Sequence, residues 1–325
     1  MNEIQFLHKN MKMWEEFDQL LDKSYQAEPD TLYELYIKLT DDLAYARTYF
    51  PESEAVHFLN QLTQKAHGVI YQSQPTDKTR LFRFWKTSFP LLVYQARREV
   101  SISFFIFLIA VFIGILSHKN DVRFVNIIMG DSYVNMTLSN IEKGDPLAVY
   151  KSMNEVEMFL GISINNIRVA FVAFIFGIFT SFGTGFILIR NGIMLGTFHA
   201  FLADYDLVLE SIATIWIHGT LEIFAIIVAG GAGIILGNSF IFTGTYSRGY
   251  AFRKGALKGI KIAFGLIPIF LIAGFLEGFV TRHTEYSYLM RFSIIGASLL
   301  FISYYFYFYP RKLISNKKYH GKHDH

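Results

Sequence analysis

The 325-residue sequence contains no cysteine, which excludes disulfide scaffolds, thiolate metal sites and cysteine nucleophiles. Charge is scarce as well. Only 18% of residues are Asp, Glu, Lys or Arg, and the formal net charge of +3 is too small to suggest a nucleic-acid partner. No G-x-S-x-G elbow, Walker loop or dinucleotide fingerprint occurs, because the glycines lie in apolar helical runs. The opening MNEIQFLHKNMKMWEEF is charged and amphipathic, so no signal peptide is expected. No internal repeat is visible, which weakens a conventional inverted-repeat transporter. No catalytic residue, metal or cofactor is therefore assigned.

What is abundant is apolar surface. Hydrophobic residues make up 52% of the chain, with 33 Phe, and they come in blocks that begin near residue 101. This pattern predicts an all-α, polytopic membrane protein with a small helical cytoplasmic domain in front of it. Residues 1–98 form that domain. Phe6, Met13, Trp14, Phe17, Leu20 and Leu21 recur at helical spacing. Further helices are expected over Leu32–Phe50, ended by Pro51, and over Ser53–Ser73. Leu81–Arg98 mixes aromatic with basic residues, as an interfacial helix does.

The membrane domain is expected over residues 99–310, with a first span at Ser101–Ser117 and a connection at 118–160 that carries more acids than bases, as suits the far side. Short outer helices are expected near Met129–Tyr133 and Pro146–Leu160. Asn165–Ile189 reads as the second span, with Asn165, Asn166 and Arg168 at its outer start and Arg190 ending it on the cytoplasmic side. Asn191 caps the next helix in that reading, through a tight boundary turn. Asn191–Ala203 supplies only roughly 20 Å of helix against a hydrocarbon core of roughly 30 Å, so it is either a short buried span or a half-span. Glu210–Gly237 returns, Lys261–Gly278 crosses next with a kink at Pro268, and Met290–Tyr309 is last. The loop bearing Arg248, Arg253, Lys254, Lys258 and Lys261, and the basic tail 311–325, mark the cytoplasmic side. Six membrane segments with both termini inside a bacterial cytoplasmic membrane satisfy this charge pattern.

Small residues repeat every four positions in three places: Ala173, Gly177, Ser181 and Gly185; Gly192, Gly196 and Ala200; and Ala225, Ala229, Gly233 and Gly237. Such stripes let helix backbones approach closely and are expected to pack the bundle, and to support a homodimer. Above the last stripe, His218 and Glu222 project from one helix face. Titratable groups at such depth cost at least ~2.5 kcal/mol on insertion scales and persist where they face protein or water. Three readings stand: a structural pair locking helices, a proton- or ion-coupled site with His199 and Glu277 as neighbours, and the metal site of an intramembrane hydrolase. HGTLE is not H-E-x-x-H, so the hydrolase lacks its second histidine and its base.

Asn191-Gly192, then His218-Gly219 followed by Glu222 and the Ala/Gly helix, resemble the stage II sporulation protein M family of integral membrane proteins. Tyr36, Asp42-Leu43-Ala44, Leu59-Asn60, His67 and Tyr71 resemble the soluble extension of its non-sporulation branch. The resemblance implies a membrane scaffold that holds peptidoglycan-degrading or other envelope partners. For members with the extension, it implies association with a MoxR-type ATPase, a von Willebrand-type protein and an RDD-type membrane protein. It supplies no catalytic residue. The expected function is an assembly platform in the lipid bilayer, and the alternative is a proton- or ion-coupled transporter through His218 and Glu222.

Overall fold

Helix governs the described residues, which contain no strand. The computed structural model describes residues 2–22, 29–71, 79–151 and 154–320; the expected helix end at Ser73 and the basic residue Lys322 lie outside them. Two compact units result, residues 1–80 and 81–325.

The first unit contains α1 (Glu3–Asp22), α2 (Pro29–Tyr49) and α3 (Glu54–Tyr71). Three- and four-residue spacing puts Phe6, Trp14, Phe17 and Leu21 on one face of α1, against Leu39 and Ala46 of α2 and Leu59 and Ala66 of α3. Trp14 is fully buried, and its indole N–H donates to Asp42 at 2.9 Å. Lys65 ties α3 to α1 through Asp18 and Asp22, at 2.6 and 2.8 Å.

The second unit begins within α4 (Thr79–Arg83) and continues with a π-helical turn (Phe84–Ser88) and α5 (Phe89–Gln95). The aromatic–basic segment 81–98 packs into this unit: Trp85 donates to the Gly265 carbonyl at 3.1 Å, and the Tyr305 hydroxyl donates to the Trp85 carbonyl. Then come α6 (Arg97–Asn120), α7 (Phe124–Met129), α8 (Asp131–Glu142) and a 3₁₀ turn (Ala148–Lys151). The remainder is α9 (Glu155–Ile175), α10 (Thr180–Ala203), α11 (Val208–Ile241), α12 (Arg248–Gly265), α13 (Ile267–Phe275), α14 (Tyr288–Ser303) and α15 (Tyr309–His320). Pro268 sits in the first turn of α13, where its missing N–H costs no helix bond, and α12 gives way to α13 just before it at Leu266.

Five helical stretches are long and apolar enough to cross a membrane: Arg97–Asn120, Glu155–Ala203, Val208–Ile241, Arg248–Thr281 and Tyr288–Ser315. The second is two segments. A 3₁₀ turn at Phe176–Phe179 and Thr180, at a positive φ of 64°, fold α10 back along α9. The Thr184 hydroxyl donates across the bend to the Ala173 carbonyl at 2.9 Å, and Arg168 and Val172 of α9 share a groove with Ile187 and Arg190 of α10. Six membrane segments therefore form the bundle, although not with the boundaries the sequence suggests. Asn165–Ile189 is not one span, since the reversal falls inside it. Asn191–Ala203 is not a half-span, because it completes the 24-residue α10, about 36 Å long. Arg190 lies mid-helix, and Asn191 caps nothing: its side-chain amide donates back to the Ile187 carbonyl at 2.8 Å.

α11 is the axis of the unit and touches α6, α9, α10, α12, α13 and α14. Its glycines make this approach possible. A Cβ on Gly233 would collide with the Ala173 carbonyl and Thr184, and one on Gly231 with Val100. α6 and α10 meet in the same way, Gly192 lying on Phe107 and Ala110, and Gly196 on the Val111 backbone. At one end of the bundle α7, α8 and the 3₁₀ turn form a cap, through Val125, Val134, Leu147 and Tyr150 packed on Met158, Phe201 and Ile215. At the other end Arg98 and Lys258 share a groove.

Candidate functional site

The polar centre lies under the cap. Helical spacing brings His218 and Glu222 of α11 to one face, and the π turn Leu276–Thr281 supplies Glu277 and Thr281 opposite them. Glu277 and Thr281, four residues apart, converge on a single imidazole. His218 is 4% exposed. Its Nδ1 lies 3.0 Å from the Thr281 hydroxyl, and its Nε2 lies 3.6 Å from Glu277 Oε2. Asn166 of α9 faces Glu222 across the helix contact. Tyr150 of the cap closes the centre from above, its ring edge-on to the imidazole at 5.7 Å between centroids. Burial, followed by the Glu277 carboxylate, holds the phenol of Tyr150 well above its ordinary pKa; the same causes push Tyr133 up to about 12. Both phenols therefore stay neutral donors above the carboxylates.

The hydrogen-bond directions carry chemical information. The Thr281 hydroxyl donates to the Leu276 carbonyl at 3.1 Å, so its oxygen accepts from His218 Nδ1–H. Nε2 then turns towards Glu277, and a proton or a small cation reconciles these two acceptors. One ligand atom each from His218, Glu222 and Glu277 lies within 4.8 Å of the others. One imidazole and two carboxylates form a donor set suited to a divalent cation, and equally to a shared proton.

The remaining sequence candidates separate into three groups. His199 does not join the centre: Trp216 stacks on it at 15° and donates its indole N–H to His199 Nε2 at 3.1 Å. Asn191 lies in the α9–α10 groove. Of the small residues, Ala173, Gly177, Gly192, Gly196, Ala225, Ala229, Gly233 and Gly237 are buried between helices, and Ser181 bonds Asn238 at 2.9 Å. Gly185 is buried, yet a Cβ there would meet nothing within 4 Å.

Sequence reasoning did not find Thr281, Asn166 or Tyr150. The available signal was Glu277 and Thr281 four apart, on the same repeat as His218 and Glu222. Asn166 read as a span edge, whereas it lies in the middle of α9 and is 6% exposed. A second polar cluster was also missed. Arg291 of α14 donates to Glu210 at 2.6 Å, to Thr214 at 3.0 Å and to the Thr284 carbonyl.

Comparison with known families places this centre within a recognised unit. The model described as stage II sporulation protein M matches residues 103–282, from the second turn of α6 to the residue after Thr281. A domain of unknown function, DUF8413, matches residues 4–72, the three-helix unit. No curated protein and no solved structure matches the chain.

Proposed function

Because the chain belongs to the stage II sporulation protein M family, we propose that this multi-pass membrane protein is an assembly platform of the bacterial cytoplasmic membrane. Both termini lie on the cytoplasmic side in this reading, where Arg248, Arg253, Lys254, Lys258 and Lys261 also gather. The three-helix unit docks cytoplasmic partners such as a MoxR-type ATPase, and the cap of α7 and α8 faces envelope partners. One observation carries the proposal: His218, at the heart of the polar centre, is buried and held on every side. His218 is held by Thr281 and Glu277 beneath Tyr150, so it joins α11, the π turn and the cap into one body. A platform needs such a rigid body; a conduit needs water at its titratable groups.

Affinity purification in detergent tests this reading. The wild type is compared with His218→Ala/Glu222→Gln, and co-purifying proteins are identified by mass spectrometry. Stoichiometric partners held by the wild type and lost from the variant are expected. A folded protein that brings nothing down in either form would overturn the platform. Proton-coupled transport is the second reading, favoured by Nε2 of His218 facing Glu277. It predicts that the double variant stays assembled and loses a pH-dependent flux.

A further inference from the structure

Arg168 and Arg190 look from the sequence like the two ends of one span. The α9–α10 hairpin instead places them on one groove of about 430 Å³, together with Asn165 and Asn191 and with no acidic residue in its lining. Both arginines are exposed, and neither guanidinium has a hydrogen-bond or ion-pair partner among the described residues. Their surroundings are apolar: Ile164 is 65% exposed, Phe186 61% and Ile189 42%. Two like charges side by side on a lipid-facing helical hairpin call for an external anion.

A second trough adjoins the first and shares Arg190 and Met194 with it. It measures about 350 Å³ and is otherwise lined by Ile127, Ile128, Phe186, Ile189 and Ile193. A basic groove with two amide side chains thus opens into an apolar trough, which matches the two halves of a phospholipid. The depth agrees. Gly192 packs on Phe107 and Ala110 of α6, so Arg190 stands about level with Phe105, roughly 10 Å along the helix from Arg98 at the basic end. An arginine stem extended towards that end covers most of the distance to the headgroups.

We propose that Arg168 and Arg190 bind the phosphate of one anionic phospholipid from the leaflet at the basic end, with an acyl chain along the Ile189–Ile193 trough. Planar guanidinium groups suit the paired oxygens of a phosphodiester, and Asn165 and Asn191 add neutral donors.

Native mass spectrometry of the full chain tests this, with defined phosphatidylglycerol or phosphatidylcholine added. The wild type is expected to retain phosphatidylglycerol with a preference on the order of tenfold or more. Arg168→Gln/Arg190→Gln removes that preference without lowering the melting temperature, since neither side chain has an internal partner. Ile189→Trp fills the trough, keeps both charges and also weakens retention. Inorganic phosphate at millimolar concentration does not displace the lipid. An unchanged preference in the double variant would overturn the proposal. Full displacement by inorganic phosphate would assign the groove to a free anion. A lipid-free dimer that becomes monomeric in the double variant would assign it to an acidic side chain of a second copy.

Discussion

Arg291 makes the clearest single-residue prediction. Its side chain is 5% exposed, and it is the cation that balances Glu210. Arg291→Leu removes the cation from a carboxylate that is 24% exposed and still accepts from Thr214 and Tyr288, so the cost falls below the about 3–5 kcal/mol of breaking a fully buried pair. A drop in the detergent melting temperature is expected. Adding Glu210→Leu to the same chain recovers most of it, because the uncompensated charge has gone. Thr281 makes a subtler prediction. Thr281→Val is nearly isosteric but removes the acceptor of His218 Nδ1–H, leaving a buried donor unpaired at about 1–3 kcal/mol. If thermal melting of Thr281→Val matched the wild type, the hydrogen bonding assigned to the polar centre would be wrong.

At the scale of elements, the α9–α10 hairpin depends on a residue poorly suited to its backbone. Thr180 has φ 64° and ψ 179°, a region that favours glycine and costs a β-branched residue about 1–3 kcal/mol. Thr180→Gly is expected to raise the melting temperature slightly, and a fall would show that the hydroxyl matters more than the strain. Gly196→Leu should do the reverse, since even a Cβ there would meet the Val111 carbonyl of α6. Separation of α6 from α10, read as loss of the folded species by size exclusion, is the expected result. These two sites also show what the sequence could and could not reveal. The four-residue glycine repeats were legible because close helix approach leaves a periodic mark. The hairpin was not, because Phe176–Gly183 carries no charge and its Gly, Thr and Ser are types that also occur inside the flanking apolar helices. Arg190 misled as well: an arginine inside an apolar run looks like an edge, and only the folded hairpin shows a groove around it. His218, Glu222 and Glu277 were legible as acids and imidazole at membrane depth. Thr281 and Asn166 were not, since neutral polar residues are common in apolar helices, and only the π turn and the α9 contact aim them at the centre.

The whole molecule combines two units that match separate family models, one at residues 4–72 and one at 103–282. On the platform reading, the three-helix unit determines which cytoplasmic proteins are recruited, and the membrane unit supplies the anchor and the cap. Exchanging residues 1–80 for an unrelated helical domain should release the cytoplasmic partners while the envelope partners stay bound. Co-purification of every partner with the exchanged chain would remove the docking role. On the platform reading, the centre of buried His218 with the partly buried Glu222 and Glu277 closes the bundle instead of conducting through it. The most direct measurement is the decay of an imposed pH gradient across liposomes that contain the purified protein, monitored with an entrapped pH dye. Decay at the rate of protein-free liposomes, unchanged by Glu277→Gln, is expected. A faster decay that Glu277→Gln abolishes would contradict it and make the centre a proton path.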